Sequence, residues 1–159
     1  MRLIGSDGHG IELRAVGYQF PDHPDPVARR SWLVIEGVGY APEGSWSFRW
    51  AALTPDDAVL VSEWLLMTAF GEMPVAEPHE LGVECDGCLH FAEPNLGFAV
   101  VAYRPDVIVL RVDLDLEFQP PWRESKAAGD PFMLYCELPA ATLTKAAEEW
   151  DAEIAGFRP

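Results

Sequence analysis

The sequence predicts an α+β fold: mostly antiparallel β-sheet, in a meander or sandwich-like arrangement, with two amphipathic helices, the second C-terminal. Three observations predict it. Short β-rich runs follow one another without βαβ alternation, glycine and proline separate them, and only two stretches carry the three-to-four residue apolar period of a helix. The 159 residues, 49% apolar with six Trp and eight Phe, suit one domain over residues 1–159 with a substantial core.

The first half reads as a meander of "GIELRAVGYQF" (Gly10 to Phe20), "SWLVIEGVGY" (Ser31 to Tyr40) and "SWSFRWAAL" (Ser45 to Leu53). Between the first two lies "PDHPDPVARR". Its prolines at 21, 24 and 26 oppose a helix there and favour an extended or turning loop that carries Asp22, His23 and Asp25 to the surface. In "TPDDAVLVSEWLLMTAFG" Thr54 is the expected N-cap, Pro55 occupies the first helical position, Asp57 completes a capping box and Gly71 ends the helix. Ala58, Val61, Trp64, Leu65 and Thr68 form its expected buried face. "EMPVAEPHELGVECDGC" has no clear period and reads as a long irregular loop ending in a turn.

Strands resume at "LHFAEP", "LGFAVVAY" and "DVIVLRVDLDLEF", with turns at Pro94-Asn95 and Arg104-Pro105, and "FMLYCEL" adds another. In the closing "PAATLTKAAEEWDAEIAGFRP", Leu143, Ala147, Trp150, Ile154 and Phe157 fall on one helical face, with Gly156 as the expected cap.

Eleven Lys and Arg stand against 26 Asp and Glu, a formal net charge of -15. Such a surface repels nucleic acid and anionic membrane and attracts a basic partner. No targeting segment is visible and no apolar run is long enough to span a bilayer, so the chain reads as cytoplasmic. Three cysteines leave one unpaired in any pairing, which fits a reducing compartment better than a stapled secreted fold.

The most informative stretch is "VIVLRVDLDLEFQPPW", Val107 to Trp122. Strand alternation would send Ile108, Leu110, Val112, Leu114, Leu116 and Phe118 into the core and set Asp113, Asp115 and Glu117 together on a solvent face. Three readings fit that geometry. The face can simply be solvated; the carboxylates can hold a hard cation or act as an acid/base pair of a hydrolase; or they can form a protein-binding face that steers a basic partner. Parallel side chains on a rigid strand disfavour the cation, which needs converging oxygens.

Other constellations are weaker. "CDGC" with His79 and His90 nearby superficially offers zinc ligands, but one Cys-x-x-Cys is half a structural site; a plain turn between two half-buried cysteines is the better expectation, with a redox pair as the other alternative. "GSDGHG" lacks the order of a phosphate loop and reads as a turn. No nucleophile elbow, zinc-protease pair or dinucleotide fingerprint appears, so neither an enzyme nor a cofactor is implied. Trp46, Phe48 and Trp50 suit a sheet core better than a base-stacking platform in so acidic a chain.

"LIGSDGHGIELRAVGYQFPD", "SWLVIEGVG", "GSWSFRWAALTPDDAVLVSEWL", "FAEPNLGFAV", "LDLEFQPPW" and the closing helix, taken together and in order, resemble the family of the wall-associated-protein immunity protein, WapI, over nearly the whole chain. The resemblance implies a non-catalytic immunity protein, because the founding member of that family protects its cell by binding the C-terminal tRNA-cleaving RNase domain of a secreted toxin. The longer, cysteine-bearing "MPVAEPHELGVECDGC" departs from the family pattern. A basic nuclease cleft is a natural target for an acidic competitor, so the expectation is that Asp113, Asp115 and Glu117, helped by Asp22 and Asp25, contact such a toxin domain.

Overall fold

The computed structural model of the chain describes residues 1–77, 85–124 and 130–157. Two four-stranded antiparallel meanders make up its β structure, β1-β2-β3-β4 and β5-β6-β7-β8. The first comprises β1 (Arg2–Ile4), β2 (Gly10–Tyr18), β3 (Leu33–Ala41) and β4 (Gly44–Leu53); the second β5 (Cys88–His90), β6 (Leu96–Tyr103), β7 (Ile108–Leu114) and β8 (Phe132–Leu138). Helix α1 (Pro26–Arg29) is a single turn, while α2 (Pro55–Ala69) and α3 (Ala140–Ile154) run for 15 residues each.

Strand alternation directs Leu3, Ile11, Leu13, Leu33 and Ile35 inward from the first sheet and Phe98, Val100, Leu110, Val112, Leu134 and Cys136 inward from the second, where they join the buried helix residues in one apolar cluster. On β3, Gly37 and Gly39 leave room for rings from β4. A Cβ at Gly37 would lie 2.3 Å from Phe48 and one at Gly39 2.4 Å from Trp46, so the glycines are set by close ring packing. Phe48 in turn lies against Phe118 at 4.3 Å between centroids, and Trp46 meets Trp122 and Phe132 edge-on at 5.4 Å.

Helix α2 has the expected capping box: Asp57 N–H donates to Thr54 Oγ1 and Thr54 N–H to an Asp57 carboxylate oxygen. Its expected apolar face is buried, and Gly71, at φ 74°, follows the helix in the left-handed region that favours glycine. Helix α3 buries Leu143, Ala147, Trp150 and Ile154, and Trp150 Nε1 donates to Ala58 O of α2 at 2.8 Å.

Several expectations change. The short edge strand β1 was not expected; three residues carry no readable period, and only pairing of Leu3 with Ile11 and its neighbours fixes them. The proline loop does contain a turn of helix, because Pro26 occupies the first helical position and Asp25 accepts from Val27 N–H as its N-cap. Gly156 does not end α3 but lies within a 3-10 turn, Ala155–Phe157. Much of the irregular segment after α2, residues 78–84 with His79, lies outside the described residues.

Candidate partner-binding surface

The acidic strand departs most from its expected form. β7 stops at Leu114, and Leu116–Phe118 forms a one-turn 3-10 helix with Asp115 as N-cap. Leu116 sits at φ 49°, a left-handed conformation unusual for a branched side chain, and alternation ends there. The expected common solvent face of Asp113, Asp115 and Glu117 is therefore broken: Asp113 is 7% exposed, Asp115 2%, and only Glu117 is open.

Each carboxylate has a local task. Asp113 lies on the outer face of the second sheet, where Arg111 Nη2 donates to its Oδ2 at 2.9 Å and Arg111 Nε stands 2.9 Å from Oδ1 as an ion-pair contact. Asp115 Oδ1 accepts from Leu116 N–H and from Gln119 Nε2, both at 2.7 Å, and Gln119 Nε2 also donates to Asp130 O at 2.9 Å. Glu117 accepts from Asn95 Nδ2 at 2.8 Å. Asn95, fully buried at the start of β6, also reaches Asp115 O, and Asp115 N–H donates to Asn95 O at 3.0 Å. "EPNL" and "LEFQPPW", far apart in sequence, thus meet in one polar knot that ends the sheet and turns the chain.

On the proline loop Asp22 and Asp25 are exposed as expected, but α1 sets Arg29 and Arg30 beside them in sequence, so this segment carries both signs of charge. The outer face of the first sheet is likewise mixed. Arg14, Glu36 and Arg49 form a cross-strand row, Arg49 pairs with Glu36, and Arg2 pairs with Glu12 at 2.8 Å. A shallow depression of about 390 Å³ on this face is lined by both charges.

Both long helices are net negative. α2 contributes Asp56, Asp57 and Glu63 and no cation, and α3 contributes Glu148, Glu149, Asp151 and Glu153 against Lys145 alone. Lys145 is already placed 3.7 Å from Glu149. Between the two helices runs a groove of about 310 Å³ whose walls carry Glu63, Glu148 and Asp151 and whose apolar lining is Val59, Leu66 and Ala147. Ser62 Oγ donates to Asp151 Oδ1 at 3.0 Å and orients that carboxylate. Beside the groove, Leu60, Met67 and Phe70 are exposed by 44, 42 and 71%. Sequence reasoning identified the buried stripe of α2 but passed over this one; the signal was the spacing of Leu60, Met67 and Phe70 away from the core positions in a helix without Lys or Arg.

The cysteines pair differently from the plain turn expected. Cys85 and Cys88 form a disulfide across the Asp86-Gly87 turn, so they do not present free thiols for zinc. Cys136 is fully buried, and burial, with the Asp7 carboxylate adding to it, pushes its thiol up to about 12, far from a nucleophilic thiolate at neutral pH. Among the described residues no three His, Cys, Asp or Glu side chains gather as a metal site would require, and no helix is long and apolar enough to cross a membrane.

A family model for the WapI-like immunity proteins matches residues 2–158, and the chain belongs to that family. No curated protein matches it.

Proposed function

We propose that this protein is a non-catalytic immunity protein that binds and neutralises a cognate toxin C-terminal domain, a basic RNase, through an acidic surface. The observation that carries this reading is the family match over residues 2–158, which supports an immunity-type function. The net charge of -15 supports the choice of a basic target. A nuclease must hold a polyanion, and an acidic protein that reaches its basic cleft first excludes the substrate by occupancy. Long-range attraction raises the encounter rate and makes it fall with salt.

Asp22, Asp25 and Glu117 stand at the surface and are proposed to contact the toxin directly. Asp113 and Asp115 are proposed to act indirectly, by holding the end of β7 and the turn that follows. The test is co-expression with a candidate basic RNase toxin domain, the first choice being any encoded next to this chain's gene, with calorimetric titration at low and high salt. Survival of the host with tight, salt-weakened binding is expected. Failure to rescue together with absence of binding heat would overturn the assignment.

A further inference from the structure

We infer that the face formed by α2 and α3 is the principal docking surface for the toxin domain, beyond the contacts proposed for Asp22, Asp25 and Glu117, and that it receives a basic segment in which Lys or Arg alternates with apolar side chains. The inference rests on the immunity reading and gives the acidic surface a location that the sequence placed elsewhere.

A helix at the edge of a fold needs one apolar face, and α2 has that in Ala58, Val61, Trp64 and Leu65. It carries a second apolar set on the opposite side. Asp56, Leu60, Glu63, Met67 and Phe70 follow one another at four, three, four and three residues, which places them on one ridge of the helix. Folding has left these apolar side chains substantially exposed, while Glu63 faces the groove as well. Scattered surface leucines need no explanation, but three large apolar residues in register beside an apolar groove form a patch of the kind that partners cover.

The walls of the groove select the occupant. Among the described residues Glu63, Glu148 and Asp151 line it without any Lys or Arg. A second copy of this chain would bring the same negative charge against it, and nucleic acid would bring more. A cationic protein surface with apolar side chains between its charges complements both features: its apolar groups cover Leu60, Met67 and the lining of the groove, and its cations meet the carboxylates on the walls.

The experiment uses the full chain and the toxin domain against which it protects in the co-expression test. Glu63→Lys with Glu148→Lys reverses two exposed charges of the face, and Leu60→Ser with Met67→Ser removes apolar contact without touching charge. Glu43→Lys with Asp106→Lys, at two exposed positions away from the helices and the proline loop, is the control of equal charge change elsewhere on the surface. Equal melting temperatures establish that each variant is folded. The expected result is a loss of affinity of 100-fold or more for the helix charge pair with a weaker dependence on salt, about tenfold or more for the serine pair, and no more than threefold for the control. If the native chain binds and rescues while both helix variants bind within threefold of it, the location is overturned and the immunity reading stands. If the co-expression test yields no toxin domain that the native chain binds and protects against, the immunity reading itself fails, and this inference with it.

Discussion

The amide series Asp113→Asn, Asp115→Asn and Glu117→Gln distinguishes the observed strand end from a regular strand with three equivalent surface acids. On a solvent face, each change would alter stability by no more than about 0.5 kcal/mol, as for most surface substitutions. The structure makes them unequal. Asp115, 2% exposed, accepts two hydrogen bonds at 2.7 Å through one oxygen. Hydrogen bonds to a charged group contribute about 1.5–3 kcal/mol each, and an amide oxygen retains only part of this, so a loss of about 2–4 kcal/mol follows. Asp113→Asn breaks an ion pair with an Arg111 whose side chain keeps 23% of its exposure; solvent compensates in part, and the loss falls to about 1–3 kcal/mol. Glu117→Gln preserves an oxygen for Asn95 Nδ2 at an exposed site and costs less than about 1 kcal/mol. Urea denaturation followed by tryptophan fluorescence, with unchanged slopes across the series, measures these differences. A heat scan should show Asp115→Asn melting on the order of 5–15 °C lower. If Asp115→Asn is no less stable than Glu117→Gln, the knot does not hold the fold as described.

Other substitutions probe neighbouring features. Leu116→Val should destabilise more than Leu116→Gly, because a β-branched residue resists the left-handed conformation that glycine adopts freely; paired denaturation curves measure the order, and the reverse order would contradict the positive φ at this position. Gly37→Ala should cost about 1–3 kcal/mol by driving its methyl into Phe48, itself braced by Phe118; a neutral effect in urea would mean that the ring has room to move. Trp150→Phe should cost about 1–3 kcal/mol through lost volume and the lost hydrogen bond to Ala58 O, read as a shift in denaturation midpoint. Thiol titration at pH 8 should count no fast-reacting thiol in the folded protein, one after unfolding and three after unfolding with reduction. A rapid reaction in the native state would contradict burial of Cys136 or pairing of Cys85 with Cys88.

The local signals in the sequence were sufficient for most elements because each is set by neighbours in the chain. The Thr54 capping box, the buried stripes of α2 and α3, and the strands Leu96–Tyr103 and Phe132–Leu138 depend on period and end chemistry, which a linear reading can follow. The end of β7 could not be read that way. "VDLDLEF" alternates perfectly, yet Asn95, twenty residues before Asp115, enters the strand's end through three hydrogen bonds and helps convert it into a 3-10 turn. A buried polar side chain from a distant segment outweighed the alternating pattern, because its amide N–H groups need acceptors once water is excluded and find them at Asp115 O and Glu117.

The same division holds for the proposed binding surface. Composition alone determined that the protein carries a large negative charge and therefore which classes of partner it repels. Its distribution was decided by tertiary structure. Folding drew Asp113 and Asp115 into local pairs and set arginines among the acids of the first sheet. It also packed α2 against α3, so that Glu63, Glu148 and Asp151, spread over nearly ninety positions of sequence, share one groove. Net charge is a sum over residues and survives any folding, whereas a charged surface is a juxtaposition, and only packing determines which side chains share it.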